Sequence, residues 1–391
     1  MWSGHCIWMN KGRIGMKKLR IISLLLTVVI LLSACGQNQP PVSGPAVSAE
    51  ETVRQAWLSM AWFHGIEPLP PVEHGEDYVI EWVDAGMEAH IRFLLDKPDG
   101  DIYHSDVWDI GALRIANNSI VCGIPLSQID IMDKEPLFYD QAMYRLHDGT
   151  LPMVASMADL RHFDNLQALS VGNNRIRGTV FDLDGIQLCE NLKILDLGDA
   201  QLVSAQQLGE CEKLEVLELS DIPLDSLEPL MPLTELKWLW LMKVGTVDLS
   251  ALENMENLVS LRLMGNEILS LEPLTALPNL KFLDIGNDVT LPSLEPLTQT
   301  RIEYLDFGLS VYGRDMYRDL DYEPLTRMSA LIWLDMTNHT RVDSAFLVSI
   351  LNCCPDLKYL RIKYTSAADE IAKGKVTIDI SHLEAFDCTP N

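Results

Sequence analysis

Leu258-Val259-Ser260-Leu261-Arg262-Leu263-Met264-Gly265-Asn266-Glu267-Ile268 is the stretch from which the fold can be read. Leu or Ile stands at its first, fourth, sixth and eleventh places, and Asn at its ninth. The alternation Leu261, Arg262, Leu263 is that of a short strand with one face buried and one open. Working outward, the pattern recurs with substitutions from Leu192, Leu214, Leu236, Leu280 and Ile302, at a constant interval of 22 residues. Looser copies begin at Ile110, Leu166, Leu331 and Leu357, which makes ten candidate coils. So short a unit cannot close a core alone and must bury its apolar face against its neighbours. The expected fold class is an α/β solenoid, a curved coil with a parallel concave β-sheet, short convex turns or 3₁₀ pieces, and a helical N-terminal cap.

After each strand the chain must turn and return along the opposite side. The return segments read Leu227-Glu228-Pro229-Leu230, Leu271-Glu272-Pro273-Leu274 and Leu294-Glu295-Pro296-Leu297. Pro in that place permits a tight turn or a short 3₁₀ piece but not a long helix. On these residues the chain resembles the internalin-like class of leucine-rich repeats from Asp84 to Tyr364. Two departures matter. The ninth place holds Asn only at Asn118, Asn174 and Asn266; elsewhere it is Ala200, Ile222, Val244, Asp288, Ser310, His339 and Thr365, so an asparagine ladder is patchy. The interval from Ile110 to Leu166 is 56 residues, which leaves a coil there inserted, irregular or missing.

A solenoid end exposes its core unless capped. Ser48 and Glu51, ahead of Val53, Trp57 and Met60, are expected to form a capping box opening a helix. Glu88 to Leu95 reads as a second helix, ended by Pro98 and Gly100. The stretch from Ala89 through Ile102 into Leu113 resembles the N-terminal cap of bacterial surface leucine-rich-repeat proteins. Val376 to Ile380 alternates like one last strand. The expected division is a cap region at 48–109, the solenoid at 110–372 and a C-terminal cap at 373–391.

The chain has 391 residues, 48% of them hydrophobic, and a formal charge of −26. Residues 1–34 hold Lys11, Arg13, Lys17, Lys18 and Arg20 and no acid, so the remainder carries 25 basic against 56 acidic residues. Nucleic acid and anionic lipid repel so acidic a body, and no nucleic-acid partner is expected. From Met16 the chain runs Lys17-Lys18-Leu19-Arg20, a mostly apolar run Ile21 to Leu32, then Ser33-Ala34-Cys35. Basic, apolar and small residues in that order make a secretory signal peptide, and the run is short for a span of ~20 residues. Leu32-Ser33-Ala34-Cys35 looks like a bacterial lipobox, and that resemblance implies a diacylated Cys35 at the mature N-terminus. The expectation is an upstream artefact at 1–15, a signal peptide at 16–34 and a tether at 35–47 carrying Pro40, Pro41 and Pro45. The protein would then sit outside the cytoplasm, lipid-anchored to a bacterial cell membrane.

The sequence has no HExxH, GxSxG, P-loop, GxGxxG or CxxC, so no enzyme and no cofactor is expected. The nine His are scattered without metal spacing. Asp96-Lys97-Pro98-Asp99-Gly100-Asp101 lacks the alternating oxygens of a calcium loop and reads as an acidic turn. The irregular stretch Cys122 to Pro152 is the nearest candidate for an enzyme site. Cys189, Cys211 and Cys354 each stand three residues before a repeat's first Leu or its equivalent, a core register, and read as buried thiols. Cys189 and Cys211 would lie ~5 Å apart on adjacent rungs, so a disulfide is geometrically open to them.

The informative residues point out of the sheet. Two places after the first Leu stand Trp238, Phe282, Tyr304, Trp333 and Tyr359; four places after it stand Trp240, Asp284, Asp306 and Asp335. Large side chains also shield a sheet and favour strands. Because the intervening Leu positions close the core, the aromatic column is expected to face solvent as a recognition strip. Its acidic neighbours favour a basic or cation-bearing protein or peptide. The alternative is a glycan, with rings stacking on sugars and carboxylates bonding hydroxyls.

Overall fold

The computed structural model describes residues 69–116, 120–125, 143–146, 150–172, 180–198, 201–288, 291, 293–310 and 319–390. The signal region, Cys35, the tether, the Ser48–Glu51 capping box, Asn118, Asn174 and much of Cys122–Pro152 lie outside these residues.

One sheet of 13 strands organises the molecule. Eleven stack parallel in chain order: β1 (Ile110–Ala116), β4 (Ala168–Gly172), β5 (Ile194–Gly198), β6 (Val216–Ser220), β7 (Trp238–Met242), β8 (Ser260–Arg262), β9 (Phe282–Asp284), β10 (Tyr304–Asp306), β11 (Trp333–Asp335), β12 (Tyr359–Arg361) and β13 (Ala385–Asp387). Register is uniform, with Leu261, Leu283, Leu305, Leu334 and Leu360 in line across five strands. Their side chains are buried in one continuous core. The 56-residue interval hides no coil, because β1 pairs directly with β4, Ala112 opposite Ala168. The intervening chain adds β2 (Ile120–Pro125) and β3 (Met143–Leu146), antiparallel to each other, outside β1 at the sheet's N-terminal end. Such a pair removes the open edge of the first coil.

The return segments are mostly 3₁₀ turns, including Glu228–Leu230, Glu272–Ala276, Glu295–Gln299 and Glu323–Arg327, each with Pro in its first two places. A side chain opens each one: Ser226, Ser270, Ser293 and Asp321 accept the N–H of Glu228, Glu272, Glu295 and Glu323 at 3.0–3.1 Å. The last coils depart from the expectation of short pieces. After a 29-residue interval from Ile302 to Leu331, the intervals from Leu331 to Leu357 and on to Leu383 are 26 residues, four more than the regular 22 and room for one more helical turn. Two α-helices occupy it, α2 (Ser344–Cys353) and α3 (Ser366–Ala372), capped by Asp343 and Thr365.

Three expectations are corrected or filled in. Val376–Ile380 is not a strand; the last strand is β13, so the described residues form eleven rungs. The sequence hid this because Ala385 and Asp387 replace the bulky outward residues and the repeat's third Leu is Cys388. The cap helix α1 spans Ala85–Leu95, three residues longer than read, because Asp84 caps it by accepting from Met87 N–H. Asp84 also accepts from Ala155 and Ser156, while Asp159 accepts from Val83 and Asp84, which pins the cap to the first coils. Only Gly fits at 86, since a Cβ there would lie 2.1 Å from Met153 O. The patchy asparagine ladder is filled by other polar groups. Asn266 accepts from Val244 N–H and donates to Leu241 O and Leu263 O, Asp288 accepts from Ile268, His339 contacts Phe307 O and Thr365 donates to Ile362 O. Cys189, Cys211 and Cys354 are buried free thiols, as their register implied. Burial drives all three thiol pKa values up.

Candidate functional site

Three successive strands carry the same tripeptide pattern, aromatic–Leu–Asp: Phe282-Leu283-Asp284, Tyr304-Leu305-Asp306 and Trp333-Leu334-Asp335. Each central Leu is buried, so strand alternation sends both neighbours to the open face. In-register pairing then aligns the aromatics in one column and the carboxylates in another. Phe282 and Tyr304 stack with ring centroids 4.3 Å apart. All three rings keep part of their surface open.

The carboxylates are held, not splayed. Asp284, Asp306 and Asp335 each accept a backbone N–H two residues on, from Gly286 (3.0 Å), Gly308 (3.0 Å) and Thr337 (2.7 Å). A Cβ at Gly286 would lie 2.8 Å from Gly308 O, and one at Gly308 3.0 Å from Asp335 Oδ1, so glycine lets these rungs close up. Arginines stand at both ends of the ladder. Arg262 Nε lies 4.0 Å from Asp284, and Arg361 Nη1 donates to Asp335 at 3.0 Å while its Nε reaches Asp387 at 3.4 Å. No cation among the described residues lies within ion-pair distance of the central Asp306. Burial, then the charges of Asp335 and Asp284, hold the Asp306 carboxyl well above its ordinary range. Burial also raises Asp284, against the pull of Gly286 N–H and Arg262.

The rest of the expected strip is less open. Trp238 and Tyr359 are each only 5% exposed, so the expectation that the whole column faces solvent is corrected for these two. Tyr359 Oη donates to Glu384 at 2.5 Å. Trp240 lies under Arg262, whose guanidinium carbon is 4.8 Å from the ring centre. Towards the N-terminus, Asp196 and Glu218 face each other across β5 and β6. Burial and then Asp196 push Glu218 up to about 7. Beside the aromatics, where each strand begins, opposite charges pair rung to rung: Lys193 and Lys237 with Glu215, Lys281 with Glu303, Lys358 with Glu384.

Two features escaped sequence reading. The arginines that end the ladder were visible as residues but not as partners, because pairing depends on which rungs adjoin. The histidines are not all scattered in space. His74 Nδ1 and His104 Nε2 lie 3.1 and 3.2 Å from the same oxygen of Asp164, and His162 Nδ1 is 2.9 Å from Tyr78 Oη. His74 stacks on Trp108 and His104 on Tyr78. This cluster fastens the segment entering the cap to the first coils, beside the bonds of Leu69 to Gln167 and Val72 to Asn165. Among the described residues no group of three or more His, Cys, Asp or Glu is set to hold a metal, and no helix is long and apolar enough to cross a membrane.

No family model matches the chain, and no match to a curated protein is found. Among solved structures it is similar to internalin C2 of Listeria monocytogenes, at 28% identity over 55% of this chain and 85% of that one, with a TM-score of 0.40. It is also similar to the internalin InlF of the same organism, at 18% identity over 78% and 89% with a TM-score of 0.47. A third likeness is to the plant peptide hormone receptor RGFR1 in complex with RGF2, at 18% identity over 55% of this chain and 35% of that one, with a TM-score of 0.41. The class rests on the chain's own geometry. Eleven parallel rungs, 22-residue units, a Leu-lined core and 3₁₀ returns define a leucine-rich-repeat solenoid.

Proposed function

We propose that the protein is a cell-surface binding protein that recognises a protein or peptide partner on the concave face of β9–β11, and that catalysis is not its role. The observation that carries this is the threefold aromatic–Leu–Asp pattern, which sets partly open rings beside closely spaced carboxylates, the central one held well above its ordinary range by burial and by the charges of Asp335 and Asp284. Aromatic anchors in a packed setting supply binding energy. Closely spaced, desolvated carboxylates gain most from a partner's positive charge. Phe282, Tyr304, Trp333, Asp284, Asp306 and Asp335 make the contact in this reading. Trp238, Trp240 and Tyr359 support it from beneath and beside.

The test is capture of native cell-surface proteins by the wild-type chain and by Trp333→Ala in parallel. Wild-type capture of a defined partner, weakened about tenfold or more in affinity by Trp333→Ala, is the expected result. A partner held equally by both proteins would move the site off this face. Saturable binding to sugars that Trp333→Ala abolishes would favour the glycan alternative instead.

In the same reading a lipid on Cys35 anchors the protein, since two acyl chains hold stably where one is marginal. Cys35→Ala is expected to release the protein from the membrane fraction. An unmodified Cys35 in the mass spectrum of the native protein would remove the anchor from the proposal.

A further inference from the structure

The outward face of the sheet is not equally open along its length. Lys193, Lys237, Lys281 and Lys358 hold the same place, just before their strands, and each pairs with a Glu of an adjoining rung. Their side chains are 11, 31, 50 and 51% exposed in that order. Lysines of a surface ion pair keep their heads in water, so the first two lie under a cover that has run out by β9. The outward column agrees. Ile194 is buried although Ala168 and Val216 on either side of it are small. Phe282, Tyr304 and Trp333, larger and set beside other rings, stay partly open. Burial also raises the Asp196 and Glu218 carboxyls of the same rungs, as exclusion of water requires.

The cap helix α1 packs against β2 and β3, and the 3₁₀ returns lie across the leucine core, so neither supplies this cover. The start of the described chain leads to what does. Going back towards the N-terminus, His74 meets Asp164, Val72 N–H donates to Asn165, and Leu69 exchanges two bonds with the Gln167 side chain at 2.8 and 3.0 Å. These contacts climb onto the outward face and end beside Ala168, which is fully buried. Upstream of Leu69, residues 53–66 hold Trp57, Leu58, Met60, Trp62 and Phe63 and no acid. We propose that residues 53–66 lie over β5–β7 as an intramolecular ligand of the concave face, and leave β9–β11 as its open part. Reach allows it. Trp57 is twelve residues from Leu69, ~18 Å as a helix, and β7 is three rungs from β4, ~14 Å. The apolar side chains of the segment bury against Ile194, Val216 and Trp238. Residues 126–142 suit the place less well, because Asp130, Asp133, Glu135 and Asp140 would be set against Asp196 and Glu218. The groove offered to a partner then begins at β8, walled on one side by the chain's own N-terminal segment.

The test uses the full chain with the photoreactive p-benzoylphenylalanine in place of Trp57, irradiated and mapped by mass spectrometry. Cross-links to residues 194–240 of the same chain are expected. Cross-links confined to other residues, links between two copies, or none at all would overturn the proposal. Acetylation of the lysines gives a second measure. In the wild type Lys193 should react about tenfold more slowly than Lys281. Trp57→Asp and Phe63→Asp should each bring Lys193 to within about threefold of Lys281, with Lys281 itself and the thermal midpoint little changed. Lys193 equally protected in the wild type and in both variants would also overturn the proposal. If a variant exposes Lys281 as well, it has unfolded, and the cross-link map decides. Neither measurement involves a partner, so the outcome is separate from that of the capture experiment.

Discussion

Truncating Leu283 to Ala is expected to cost the solenoid ~2–5 kcal/mol, and truncating Trp238 to Ala nearly as much. Leu283 is buried between the facing leucines of β8 and β10, and no neighbour can close over the gap without disturbing the register of the sheet. Trp238 points the other way, yet it is only 5% exposed, so its removal also opens a void. Trp333, on the same column, is partly open and should lose only ~1 kcal/mol, mainly in cross-strand contacts. Urea unfolding of the three variants measures this directly. A Trp238→Ala variant as stable as wild type would show that the ring is a surface feature after all. The contrast also decides which residue is a fair probe of binding. Trp333 separates affinity from stability and Trp238 does not.

Asp306→Asn should make the free protein more stable above neutral pH while weakening its partner. The folded state holds Asp306 well above its ordinary 3.8, so folding favours the protonated form. Stability from this group is therefore greatest at acid pH and is lost as pH rises from the unfolded value through the folded one. Asn removes the charge and with it the loss, so the variant and wild type should converge near pH 4 and diverge above. Glu218 adds to the same trend, between its ordinary 4.5 and about 7. At ~1.4 kcal/mol per unit, Glu218→Gln should recover on the order of 3 kcal/mol at pH 8. Binding should show the opposite sign. A cation at Asp306 competes with its proton, so wild-type affinity should rise with pH over that range and the dependence should be blunted in Asp306→Asn. Melting curves and titrations from pH 4 to pH 8 test both halves. Burial lowers His339 to about 4 and lowers His162 too, which pushes absolute stability the other way over part of this range. The decisive quantity is therefore the difference between wild type and Asp306→Asn, and a difference that does not grow with pH would contradict the carboxylate argument.

Much of this was legible in the sequence because a solenoid repeats its physics at a fixed interval. Leu192 to Ile302, spaced by 22, fixed five contacts between coils before any coordinate was needed. The outward columns followed from strand alternation alone, since Leu283, Leu305 and Leu334 mark the inward side. What alternation cannot tell is exposure. Facing outward left Trp238 and Tyr359 covered, Tyr359 with its hydroxyl held by Glu384 from the next rung. Spacing failed where composition changed. The last two 26-residue coils admitted helices, and the eleventh rung carried Ala385 where the pattern leads one to look for a ring. The His74–His104–Asp164 cluster lay beyond sequence reasoning altogether, since 90 residues separate His74 from Asp164 and no repeat links them.

The exchange of 3₁₀ turns for α2 and α3 has a geometric outcome for the site. Two α-helices packed side by side need ~8–10 Å between axes, whereas their strands remain ~4.8 Å apart. A coil that is thick on its outer side and thin on its inner side is a wedge, and stacked wedges fan. Curvature is thus concentrated in the stack from β11 to β13, where α2 and α3 pack against each other. Such a wedge favours a tighter bend of the sheet beyond Trp333 than among the 3₁₀ coils before it.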